Sequence, residues 1–342
     1  MSSDLISIPP AEAVNLYLHH RESELSKKSL TNQRYRLNSF LDWCEETGLD
    51  DMNELTGRNL HQFRVWRSQG KGRGYDEISK MTLRGILATL RTFLEFCDSI
   101  EAVEPGMRER VLLPEIEPEE ISRDDIVESE LAKAILEHLD TFEYASRDHV
   151  IMVVLWHTGM RLGTLRSLDV DDFDANQQSI RIRHQPETGT PLKNKYAAER
   201  YIAVGDYYTQ VIQDYIDTNR FSVTDDYGRL PLISSREGRL TATPIRRTVY
   251  RWTRPCMTGE CPHEKEPVEC EFMQSLKASS CPSSVSPHAV RRGSITSHLR
   301  EGTPEEIVSG RMDVTGDILD LHYDKRTEFE KMQIRREFLE DE

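Results

Sequence analysis

Residues 157–174 read HTGMRLGTLRSLDVDDFD and follow directly on the apolar run IMVVLW at 151–156. The run has the character of a buried helix, and Leu162, Leu165 and Leu168 carry the apolar pattern into a second helix beyond the glycine. Arg161 therefore falls at a junction between two helices, where a long cationic side chain can point into a cleft. Further on, SPHAVRRGSITSHLREG at 286–302 sets His288 and Arg291 three residues apart, one helical turn, so a nearby phosphate could touch both. DILDLHYDKR at 317–326 then offers Tyr323 among polar neighbours, a setting that does not suit a tyrosine serving only as core.

Working outward, the first hundred residues read as helices over 11–21, 30–47, 56–68 and 79–98. The last is the clearest, with Leu83, Ile86, Leu87, Leu90, Phe93, Leu94 and Cys97 recurring at three- and four-residue steps. GKGRG at 70–74 punctuates the loop before it and is either a solvated turn or a flexible basic contact. From Glu101 the composition turns to proline and acid, so 106–125 reads as an acidic linker between a helical domain at 1–105 and a second domain at 126–342. In the second domain, helical patterns cover 128–140 and 147–157. Ile180 and Ile182, then Tyr201, Ile202 and Val204, mark a β-hairpin around TGT. Helices resume over 207–218, 243–253 (Thr243 as cap, Pro244 in the first turn), 288–300, 304–308 and 318–339. The fold expected is mainly α with a small β-sheet: an all-helical domain followed by a mixed α/β one.

A hydrophobic content of 37% suits a soluble globular chain, no apolar run reaches the roughly 20 residues of a membrane span, and MSSDLISIPP lacks the order of a secretion signal, so a cytoplasmic protein is expected. The net charge of -15 argues at first sight against a polyanion partner. The distribution decides otherwise, since 288–300 holds three arginines, two histidines and no acid. Arginine outnumbers lysine 33 to 11. With so much Asp and Glu, that bias resembles proteins of salt-loving archaea, in which molar salt shortens electrostatic repulsion to about 3 Å.

Taken in order, the TGMRLGTLRSL box, a hairpin with lysines, an HxxR box and a tyrosine about thirty residues later resemble the tyrosine recombinase, or phage integrase, family. The resemblance covers about 127–330, and the helical first domain is similar to that family's SAM-like core-binding domain. It implies a clamp on double-stranded DNA, site-specific strand exchange through a 3′-phosphotyrosyl bond, and homo-oligomers from dimer to tetramer. Tyr323 would be the nucleophile. Arg161 and Arg291 would hold the phosphate in forked geometry, with His288 handling a proton or the phosphate. No cofactor would be required, because the phosphotyrosyl bond conserves the energy of the broken strand.

The family's general acid is a hairpin lysine, and PLKNKYAAERYIAV at 191–204 offers Lys193 and Lys195. The offset from Arg200 points to Lys195, whereas the extra residues in HQPETGTPL could bring Lys193 to the tip, so both stand. Where the family has a His or Trp, IVSGRMD at 307–313 has Arg311, with His298 and His322 as possible substitutes. The C-terminal run carries Phe329, Met332 and Phe338 at roughly helical spacing and would dock on a neighbouring subunit or on its own domain.

Cys44 and Cys97 read as buried helix residues. Cys256, Cys261, Cys270 and Cys281 crowd one insert, with gaps of four, eight and ten residues, and together with His263 could ligate one structural zinc. Reduced thiols or a disulfide pair are the alternative. Three other functions are compatible with parts of the pattern: a catalytically silent DNA-binding relative, a topoisomerase-like DNA-relaxing enzyme, and a metal-dependent nuclease built on the cysteines. The first would lack a nucleophile or arginine, and none is missing; the third would need paired carboxylates.

Overall fold

The computed structural model describes residues 5–70, 76–117, 125–322, 324 and 326–337. The chain divides into two compact units, Met1–Arg123 and Asp124–Glu342.

The first unit is helical: α1 (Pro10–Arg21), α2 (Lys27–Thr47), α3 (Gly57–Ser68) and α4 (Lys80–Ser99). Ser26, Thr56 and Ser79 start α2, α3 and α4 by accepting the third amide of each helix on a side-chain oxygen. The stripe seen in the sequence of α4 is buried against Tyr17, Phe40, Trp43 and Phe63. Cys44 and Cys97 lie in the same core, and burial pushes the Cys44 thiol up to about 12. The acidic linker begins later than the sequence suggests. Met107 and Val111 are buried in the first core and Arg84 donates to the Pro114 carbonyl at 2.7 Å. A few apolar residues at helical spacing outweigh their acidic surroundings.

The second unit opens with α5 (Ser129–Phe142) and α6 (Arg147–Thr158), and α6 is buried all round from Val150 to Leu155. After α7 (Leu162–Ser167), β1 (Phe173–Asp174), β2 (Ser179–Ile182) and β3 (Arg200–Ala203) form an antiparallel sheet in the order β1-β2-β3. Ile180 pairs with Ile202, and both face the core while Tyr201 faces outward. There follow α8 (Asp206–Asp214), a β4–β5 hairpin (Ser234–Ser235, Gly238–Arg239) and α9 (Ala242–Trp252). The chain then runs through the cysteine insert to α10 (Pro287–Arg300), α11 (Glu305–Met312), α12 (Gly316–His322) and α13 (Glu328–Glu337). Thr241 rather than Thr243 precedes α9, which places Pro244 still inside the first turn. The pattern read as helical over 318–339 is divided between α12 and α13. No helix among the described residues is long and apolar enough to cross a membrane.

Gly293 sets the position of α10. A Cβ added there would lie 1.9 Å from the Val127 carbonyl oxygen and 3.0 Å from the Trp156 ring. Gly293→Ala is expected to lower unfolding free energy by about 3 kcal/mol, the upper range for overpacking. Denaturant unfolding measures this, and a loss under about 0.5 kcal/mol would mean that the contact relaxes freely.

Candidate active site

The turn between α6 and α7 is built on Gly159, whose φ of +57° ends α6 in the left-handed region. A Cβ there would meet the Met312 sulfur at 2.6 Å, so only glycine lets α11 approach. Two residues on, Arg161 precedes α7 with extended backbone, half-buried, and its guanidinium pairs with the Asp313 carboxylate. The other oxygen of that carboxylate accepts Asn194 Nδ2 at 2.9 Å, which ties the lysine hairpin to the same point.

Arg291 is 2% exposed. Its Nη1 donates to the carbonyls of Gly159 at 2.6 Å and Met312 at 2.7 Å, and Nη2 donates to that of Asp313 at 3.3 Å. It thereby joins the ends of α6 and α11. His288 lies one turn before it, on the first turn of α10. The bulk of the domain around the ring, and then the charges of Arg291, Arg292, Arg161 and Lys193, push its pKa below the ordinary histidine value. His288 is therefore held towards the neutral form at pH 7.

Both hairpin lysines are exposed. Lys193 is the one whose charge reaches His288, while Lys195 adopts a φ of +52° at the start of a short 3-10 turn. The offset from Arg200 that pointed to Lys195 counts residues along a regular hairpin, whereas between β2 and β3 the chain makes an isolated bridge from Gln185 to Thr190 and a 3-10 turn over Lys195–Ala198.

Arg311 is turned towards the protein body, donating to the Ala203 carbonyl at 2.7 Å, to His157 Nε2 at 3.1 Å and to the His157 carbonyl at 3.2 Å. Burial, then the charges of Arg311 and His298, push His157 down to about 3, so its ring accepts that bond as a neutral imidazole. It also stacks on Tyr208 with ring centroids 3.6 Å apart. His298 shares a hydrogen bond with the Ser294 carbonyl of its own helix at 2.9 Å. His322 closes α12; its side chain, Tyr323 and Phe338 lie outside the described residues.

Sequence reasoning did not single out Asp313, Asn194 or His157 and used Arg200 only as a landmark. Burial pushes Arg200 down to about 10, and around it lie Asp313, Arg291, Arg161 and Arg311. Such a cluster of guanidinium groups with one carboxylate is suited to receive an anion with several oxygens.

The cysteine insert between α9 and α10 is a run of short 3-10 turns. Cys256, Cys261, Cys270, Cys281 and His263 line one cavity of about 170 Å³, whose wall includes Arg254 and Met273. All six cysteines are free thiols. Among the described residues no three Cys, His, Asp or Glu side chains are already gathered as closely as ligands of one ion. The two ends of the insert are joined where Thr253 Oγ1, at the C-cap of α9, receives the Val285 amide at 3.0 Å.

Comparison with known proteins follows the same boundaries. Residues 14–98 match the N-terminal SAM-like domain of phage integrases. Tyrosine recombinase XerC of Vibrio cholerae serotype O1 is 26% identical over 181 residues, covering 51% of this chain and 52% of the relative. This chain thus spans about half the length of that relative. XerC of Escherichia coli O157:H7 is 24% identical over 236 residues, covering 68% and 70%. The fold is similar to that of the Tn1549 transposon integrase solved with circular intermediate DNA, at a TM-score of 0.68 and 15% identity, covering 97% of this chain and all of that one. Residues 126–313, more than half of the sequence, match the phage integrase family, and the chain belongs to that family.

Proposed function

We propose that this protein cuts and rejoins double-stranded DNA at specific sites through a 3′-phosphotyrosyl intermediate on Tyr323. The observation that supports the reading is that Arg161, Lys193, His288 and Arg291, drawn from three distant stretches, come within charge range of one another, with Asp313 bonded to both arginines. In the forward step the Tyr323 hydroxyl oxygen attacks phosphorus, the bond to the 5′ oxygen breaks, and that oxygen takes a proton from a hairpin lysine. Arg161 offsets charge on the non-bridging oxygens, Arg291 holds the helix ends around them, and His288 takes up or returns the proton of the tyrosine. Reversal by a 5′ hydroxyl of a second strand releases Tyr323.

A nicked suicide duplex bearing a recognised site is expected to trap a covalent protein–DNA adduct that disappears in Tyr323→Phe. Persistence of the adduct in that variant excludes Tyr323 as nucleophile. For the acid, Lys193→Ala is expected to lose cleavage and to regain it on a substrate with sulfur in place of the 5′ leaving oxygen, because a thiolate departs without a proton. Rescue of Lys195→Ala alone would transfer the role to Lys195.

We assign the cysteine insert to a structural zinc held by Cys256, Cys261, Cys270 and Cys281. The common cavity supports this, and binding would draw its thiolates inward by rotation about side-chain torsions and movement of the short turns. Purified reduced protein expressed with zinc is expected to carry about one zinc per chain, falling in Cys256→Ser and Cys270→Ser. Clearly less in the parent sinks the assignment. Strand exchange pairs two DNA sites, so we infer assembly of dimers into tetramers on DNA. Exposed Phe329 on α13 is available for a neighbouring copy. The acidic, arginine-rich composition suits work in the cytoplasm of a salt-loving cell.

A further inference from the structure

The carboxylate of Asp313 bonds the arginine to which the proposed reaction assigns the phosphate. It pairs with Arg161, accepts Asn194 from the lysine hairpin at 2.9 Å, and lies in the field of half-buried Arg200. Its own backbone carbonyl accepts Arg291. Asp313 is the one acid among the charged groups acting on Arg200, the others being Arg291, Arg161 and Arg311. The residue sits at the C-cap of α11 with φ 54° and ψ 62°, in the left-handed region.

We propose that Asp313 is an internal stand-in for the scissile phosphate, holding Arg161 and the lysine hairpin in a closed, charge-balanced arrangement until DNA displaces it. A carboxylate and a phosphodiester both present two anionic oxygens to a guanidinium, and both accept forked hydrogen bonds. The Arg161 nitrogen that pairs with Asp313 cannot give the same bond to both, so an arriving phosphate must break the pair. The displaced carboxylate releases Asn194 as well, which frees the hairpin tip to reorganise around the leaving oxygen. Uncompensated, the guanidinium groups of Arg161, Arg200 and Arg291 would repel one another and attract any anion in the cell. The stand-in lowers both effects at the expense of phosphate affinity. A device of this kind makes arginine alignment depend on bound DNA.

This inference rests on the reading of Arg161 as a phosphate ligand, and its test needs no cleavage. Inorganic phosphate is titrated into the full-length protein and its variants at low ionic strength, with binding followed by calorimetry and folding by circular dichroism. Asp313→Asn keeps a residue type that tolerates the left-handed backbone, and Asp313→Gly removes any strain there. Both are expected to bind phosphate at least about fivefold more tightly than the parent, since each removes a like charge a few ångström from the ion. Adding Arg161→Gln to Asp313→Asn is expected to abolish the gain. Unchanged or weaker phosphate binding in the folded Asp313 variants overturns the proposal and leaves Asp313 as a brace for Arg161. Failure of the strand-exchange reading would be seen separately, as a parent protein that forms no adduct on nicked DNA whatever the phosphate titration gives.

Discussion

A guanidinium removed from water must find acceptors, because an unpaired buried charge costs several kcal/mol. Arg291, at 2% exposure, finds them in the carbonyls of Gly159, Met312 and Asp313. These belong to the C-terminal ends of α6 and α11, where the last carbonyls of a helix have no partner within it and carry the negative end of its dipole. Each side satisfies the other. The buried cation needs carbonyls, and the two helix ends need donors and positive charge. The position of Arg161, two residues past Gly159, and of Asp313, one past Met312, follows from that junction. Ile295 and Leu299 on the same α10 pack with Val308, Met312, Val314 and Leu319, so the polar knot sits at the edge of its own apolar cluster.

The same logic accounts for the arginine bias. Asp169, 4% exposed, accepts from Arg239 and forms ion pairs with Arg183 at 3.7 Å and Arg229 at 3.6 Å, and Asp225 accepts from Arg229 at 3.0 Å and Arg239 at 2.9 Å. A fork can bridge two carboxylates or reach a carbonyl as well, as Arg239 does at Leu168, where a lysine ammonium offers only a point charge. These two acids and three arginines are thus spent on one another inside the second unit. The net charge of -15 is a poor guide to the pocket, whose character is set by which groups remain after that pairing.

What could be read from the sequence was whatever carries periodicity or a fixed local spacing. The α4 stripe, the buried α6 and the one-turn separation of His288 and Arg291 are of that kind. What could not be read depends on contacts between distant stretches. Asp313 is an ordinary acid until Arg161, 152 residues away, is brought to it. Lys193 and Lys195 differ by two places in a loop that also contains an isolated bridge between Gln185 and Thr190. The later start of the linker escaped because Met107 and Val111 are sparse among acids, and only their burial in the first core reveals their purpose. β1, β4 and β5, two residues each, are too short to carry alternation at all.

Arg311 shows how an unusual residue is accommodated. A fifth cation beside Arg161, Arg200, Arg291 and Lys193 would add repulsion if it faced the pocket. Its guanidinium bonds away from it instead, to Ala203 at the end of β3 and to His157 at the end of α6. That arrangement requires His157 to be neutral, and burial secures this by holding its pKa near 3. In return, Arg200 at the start of β3 donates to the Arg311 carbonyl at 2.8 Å. The strand is therefore clasped to α11 at both ends, by one side chain running each way. The hairpin that bears Lys193 and Lys195 leads directly into this strand, so the residue that departs from the family pattern is coupled to the placement of the lysines, through backbone rather than through the phosphate.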